Sequence, residues 1–179
     1  QGVSSAASDV YKRQVYGIGA FSLAKDIGVS NKEAKHYIES YLAHYSGVDS
    51  YMKNVVEKAN ADGYVETMFG RRRNLPELTS SKHMIRAFGE RVARNMPIQG
   101  TAADIIKIAM IKVDERMKSE NLRARLVLQV HDELIVEAPQ DESMRVALIV
   151  QEEMENAVKM SVPLTADAAI GRTWYDAKG

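Results

Sequence analysis

The sequence predicts an α+β fold, several helices with a small antiparallel sheet, and three features predict it. Apolar residues recur at helical spacing over long stretches, from Ser30 onward and again from Ser80 to about Glu120. "LRARLVLQV" alternates like a half-buried strand and "ELIVEA" reads as a second; the short link between them requires an antiparallel hairpin. No internal repeat or low-complexity linker divides the 179 residues, enough for one substantial core and short for two complete domains.

The first fourteen residues, "QGVSSAASDVYKRQ", are rich in small polar side chains and lack either periodicity or the apolar core of a signal peptide. They read as a non-native, adapter-like leader, the alternative being a natural disordered tail, so the native sequence is expected to start near Val15. "VYGIGAFSLAKDI" has helix-compatible apolar spacing. "SNKE", Ser30 to Glu33, has the form of a capping box and announces a helix with Tyr37, Ile38, Tyr41 and Leu42 on its inner face. Gly47 is expected to break that helix. The next runs through Met52, Val55 and Val56 and stops at Gly63, a left-handed cap.

Tyr64, Val65 and Thr67 favour a strand, with Phe69-Gly70 as a turn. The helix from Ser80 contains Pro97, which lacks a backbone donor, so a kink or break is expected there. After the hairpin, Pro139 and Asp141 open a last long helix through Val146, Ile149 and Val150 to about Met160. "PLTADAAIG" reads as a closing strand and "RTWYDAKG" as a tail.

Composition narrows the function classes. Lys and Arg number 24 against 24 Asp and Glu, so net charge gives a nucleic-acid partner no support and a locally basic face would be needed. The absence of cysteine removes disulfides and thiolate metal sites and is compatible with a reducing cytoplasm. No uncharged apolar run has the length of a membrane span, so no membrane role is expected.

The chemistry centres on the hairpin tip, where His131, Asp132 and Glu133 interrupt two stretches that favour burial. A carboxylate held by a sheet turn is both rigid and accessible, as a hard divalent cation that must also meet substrate phosphates requires. Taken alone, Asp132 is equally a common turn residue, and His131 a hydrogen-bonding partner. His36, His44 and His83 have no ligand partners at metal-binding spacing and read as surface or structural.

Five segments, in order, decide between these readings. "QVHDELIVEA" resembles motif C of the bacterial DNA polymerase I family, family A. "VYGIGAFSLA" looks like the end of that family's nucleotide-selecting helix, with Tyr16-Gly17 at its Tyr-Gly signature. "DGYVETMFGRRRNLPEL" is similar to its GYVET-x-x-GRRR-x-LP segment. "ERVARNMPIQGTAADIIKIAMI" resembles its helix along the primer-template minor groove, and "GRTWYDAK" its closing Gly-x-x-Trp.

The resemblance implies fingers over about residues 15–80 and part of the palm over about 81–179. It implies that Asp132 binds catalytic Mg²⁺ within a two-ion site, with Glu133 as an accessory carboxylate and His131 near the primer terminus. Arg91, Asn95 and Gln99 would hydrogen-bond primer and template, and their spacing of four puts them along one helical face. Donors in the minor groove meet acceptors that recur at every A·T pair in either direction, so they sense pairing without reading sequence. Arg71, Arg72 and Arg73 offer phosphate-binding guanidinium groups. Tyr16 and Gly17 would lie at the nucleotide and template site. The implied partners are primer-template DNA and deoxynucleoside triphosphates, and the implied intact enzyme is a cytoplasmic monomer acting in replication and repair.

The sequence also departs from the family. Ser4, Ser8 and Lys12 stand where the nucleotide-binding helix carries Arg, Lys and Phe, and no motif A strand with its second metal aspartate is found. The chain alone is therefore expected not to extend a primer. Two rivals remain: a non-catalytic primer-template binding remnant, and a His-Asp phosphohydrolase, which would need partnered histidines that are missing here.

Overall fold

The computed structural model describes residues 19–177. The chain divides into two compact units that part between Thr101 and Ala102. The elements expected between residues 15 and 18 lie outside the described residues.

The first unit opens with helix α1, Ala20–Ile27, capped by Gly28 in the left-handed conformation (φ 70°). Helix α2, Asn31–His44, begins on the expected capping box: Ser30 Oγ accepts from the Glu33 amide, and the Glu33 carboxylate accepts from Ser30 N–H at 3.0 Å. Its inner face is narrower than expected. Ala34 and Ile38 pack with Leu23 and Ala24 of α1, while Tyr37 is half exposed. Gly47 does not break the helix. The chain turns at Tyr45 (φ −106°, ψ 59°), and Gly47 lies in the first turn of helix α3, Ser46–Asp62. Tyr45 packs tilted against Tyr41 and edge-on against His44, and those ring contacts accompany the non-helical backbone.

Gly63 caps α3 with φ 77°, as expected, and leads into strand β1, Tyr64–Glu66. Strand β2, Arg72–Asn74, pairs with it antiparallel, Val65 opposite Arg73. Its Arg-Arg-Asn sequence carries no strand pattern, so only pairing makes it a strand. A 3-10 turn at Pro76–Thr79 follows. Val65, Leu75 and Leu78 close with Ala59 and Ala93 over a small core, flanked by Val55, Val56, Val92 and Met96.

Helix α4, His83–Ser119, runs through Pro97, so of the kink or break expected there the break does not occur. Proline deletes one helical hydrogen bond, but the turn after it is held from outside by bonds described below.

In the second unit, strands β3, Arg125–Val130, and β4, Glu133–Glu137, form the expected hairpin. A bulge between Leu126 and Leu128 sharpens the twist of β3. Helix α5, Ser143–Glu155, is shorter than the sequence suggested: it stops five residues before Met160, where Asn156 takes a non-helical conformation. Val146 and Ile149 of α5 pack with Val113 and Met117 of α4, and Leu126, Leu134 and Val136 of the hairpin cover them. Arg145 donates to Glu120 from α5, and this bond, with Arg116 nearby, lowers the Glu120 pKa from its ordinary value. Residues 163–171 form no strand, correcting the expected closing strand. An extended segment becomes a strand only beside a partner, and the β3–β4 sheet has two strands. Helix α6, Trp174–Ala177, ends the described chain.

Candidate active site and nucleic-acid interface

Val130 pairs with Glu133, so His131 and Asp132 alone form the hairpin turn. His131 has φ 55°, the left-handed region, while Asp132 does not; one positive φ, at the first turn residue, excludes a type I′ turn. Gln129 donates from Nε2 to the His131 carbonyl at 2.5 Å and closes the turn. The two strands thus hold the tip rigidly while Leu126, Leu134 and Val136 anchor its base in the core.

The acids differ in setting. Asp132 is exposed, and its carboxylate makes no hydrogen bond or ion pair among the described residues. Glu133 is half-buried, with Oε2 shielded from solvent. No group of three or more His, Asp or Glu side chains converges as a metal cage among the described residues. An accessible, unengaged carboxylate fits one oxygen ligand of a hard divalent cation, and the remaining ligands would have to come from elsewhere.

Arg91, Asn95 and Gln99 lie in the first unit, along one face of α4, because the helix continues past Pro97. Arg91 is exposed, its guanidinium 5.9 Å from the Phe88 ring centre. Asn95 has a buried Oδ1 with no hydrogen-bond partner. Such an atom is costly unless a ligand completes it. Gln99 is exposed.

The three arginines divide. Arg71 donates to the Gly100 carbonyl at 2.9 Å. Arg72 donates to Glu66 at 3.2 Å and lies 4.4 Å over the Tyr64 ring. Arg73 is exposed and has no side-chain partner among the described residues. Tyr16 and Gly17 lie outside the described residues. Thr67 and Thr101, the two buried polar residues among the described residues, carry no signal of this role in the sequence, because the bond that joins their segments, Met68 N–H to Thr101 Oγ1, spans 33 positions.

An α+β chain carrying a carboxylate on a tight hairpin and a row of polar side chains on one helix invites comparison with nucleotidyl-transfer proteins. The model of "DNA polymerase family A" matches residues 10–176, and the chain belongs to that family. It is 53% identical over 164 residues to DNA polymerase I of Bacillus caldotenax, covering 92% of this chain and 19% of that protein. DNA polymerase I of Bacillus subtilis is 51% identical over the same shares. Among solved structures, the POL domain of Pol1 from M. smegmatis, in complex with DNA primer-template and dNTP, superposes with a TM-score of 0.93. That match is 43% identical and covers 98% of this chain and 31% of that one. The chain spans about a fifth of the length of the curated relatives it matches. Among the described residues no helix is long and apolar enough to cross a membrane.

Proposed function

We propose that the chain is the fingers-and-palm part of a DNA-directed DNA polymerase that adds nucleotides to a primer 3′-hydroxyl, with fingers over about residues 15–80 and palm over about 81–179. The observation that carries this is the hairpin of a family A chain whose tip holds an exposed carboxylate, Asp132, with no protein partner among the described residues.

Asp132 is the ligand for Mg²⁺, and a further carboxylate from outside this sequence completes a two-ion site. When bound, the ions supply an acidified nucleophile and charge stabilisation at the phosphoryl oxygens. The chain's own residues do the rest. The hairpin fixes Asp132 in place, and Glu133, partly shielded beside it, adds negative charge. His131, at the turn, orients the primer terminus. Arg91, Asn95 and Gln99 donate into the minor groove of the primer-template, where the acceptors are common to correct pairs. Arg73 meets a backbone phosphate, and Tyr16 with Gly17 lines the nucleotide and template site. The substrates are deoxynucleoside triphosphates, and the intact enzyme is a cytoplasmic monomer of replication and repair.

The chain alone does not extend a primer, because among the described residues Asp132 and Glu133 have no further His, Asp or Glu group with which to complete a metal site. That same observation favours a second reading for the isolated segment, a primer-template binder without turnover. Primer extension by the full-length polymerase tests the proposal. Asp132→Ala should lower turnover ~1,000-fold and leave DNA affinity nearly unchanged. Wild-type turnover in that variant would reject the assignment, and Asp132-dependent extension by the segment alone would reject its inactivity.

A further inference from the structure

Gln99 sits in the turn of α4 that its own sequence makes weakest. Pro97 has no amide to donate, Gly100 is a poor helix former, and Ile98 and Thr101 are β-branched, so four of the five residues from 97 to 101 disfavour a helix to some degree. The turn is nevertheless helical.

The β1–β2 loop, residues 67–71, holds it. Thr101 Oγ1 donates to the Pro97 carbonyl at 2.5 Å and accepts from Met68 N–H at 3.0 Å. Arg71 donates to the carbonyl of Gly100 at 2.9 Å. The loop is itself built around Thr67, whose Oγ1 accepts from the amides of Phe69 and Arg71 at 3.3 and 3.2 Å. Thr67 and Thr101 are both buried, so the bonds of their hydroxyls are partly shielded from water, while the bond from Arg71 to Gly100 is exposed. The approach leaves no room for a larger residue at 100, since a Cβ on Gly100 would stand 2.7 Å from Thr67 Cγ2. That methyl cannot swing away while its hydroxyl holds two amides. Gln99 projects from the middle of this turn, exposed and without a side-chain partner among the described residues.

We propose that Thr101, with Gly100 and Arg71, forms a positioning clamp: the β1–β2 loop splints helix α4 beyond Pro97 and so aims Gln99 at the minor groove of the primer-template. Asn95 precedes the proline and Gln99 follows it, so the clamp sets the angle between two donors that must meet one groove. This rests on Gln99 being a minor-groove contact, and the test separates the two claims.

The full-length polymerase is assayed on primer-templates in which a 3-deazapurine, lacking the N3 acceptor, is stepped through the last three base pairs on each strand. The readout is the ratio of incorporation on natural and deaza DNA. Wild type should show a marked drop at one position, and Gln99→Ala should abolish that drop. Thr101→Val, which keeps shape and loses the hydroxyl, should slow natural incorporation by about tenfold and also shrink the drop towards none. Thr101→Ser, which restores the hydroxyl, should recover both. Gly100→Ala, which displaces the loop with Thr101 intact, should repeat the Thr101→Val result and serves if that variant fails to fold. A slowed Thr101→Val with the wild-type drop would overturn the clamp, because a merely structural loss leaves the ratio untouched. A wild-type drop that survives Gln99→Ala would overturn the groove contact itself, and the clamp with it.

Discussion

The hairpin turn makes a prediction about strain that can be separated from catalysis. His131 holds φ 55°, where an ordinary L-residue costs about 1–2 kcal/mol. Glycine there would relieve that cost but lose about 0.5–1 kcal/mol through its freer unfolded chain. His131→Gly should therefore stabilise the hairpin by a net ~0–1.5 kcal/mol. Asn, which tolerates the region, should be close to neutral, Ala slightly worse and Val the worst, since a β-branched residue is a true outlier at positive φ. Amide hydrogen exchange at Val130 and Glu133, the pair that closes the turn, reads this locally in the full-length protein. The expected order of protection is Gly, Asn, His, Ala, Val. Incorporation should fall in every one of these variants if the imidazole orients the primer terminus, so stability and activity would move in opposite directions for Gly. Equal protection in the Gly and Val variants would refute the argument, because the left-handed conformation would then not be what the turn requires.

Three further predictions follow from the same structure. Ile149 is fully buried beneath the hairpin, so Ile149→Ala should lower stability by about 2–5 kcal/mol, read as an earlier urea midpoint. Arg73→Ala should weaken DNA binding without regard to sequence and reduce the slope of log affinity against log salt by about 1, whereas an unchanged slope would remove Arg73 from the phosphate contacts. Because Arg145 lowers the pKa of Glu120, that tie contributes fully at neutral pH and is lost as pH falls from the ordinary glutamate value through the lowered one. Glu120→Gln should accordingly be less stable than wild type at pH 7, and the difference should vanish on acidification.

What could be read from the sequence was local. The Ser30–Glu33 capping box, the Gly63 cap and the two-residue hairpin turn each depend on residues within a few positions of one another, and each stands as expected. What escaped depends on distant partners. The helix continues past Pro97, and the bonds from Met68 and Arg71 to the turn after it come from about thirty residues away. Strand β2 exists because β1 pairs with it, and residues 163–171 have a strand-like sequence without a strand beside them. The same limit applies to the site. The place of Asp132 in a hairpin turn and of Arg91, Asn95 and Gln99 on one helix could be read locally, but nothing in "GRRR" distinguishes Arg71, bound to Gly100, from Arg73, which has no such partner among the described residues.

Metal binding by Asp132 is read without recourse to turnover by a Mn²⁺ titration, followed by electron paramagnetic resonance, of the full-length polymerase with primer-template and a non-hydrolysable nucleotide. Wild type should bind two ions per complex, and Asp132→Asn, of equal size and without the charge, should lose at least tenfold in affinity for one of them while holding the same DNA. Two ions bound with unchanged affinity in the variant would mean that Asp132 is not a metal ligand.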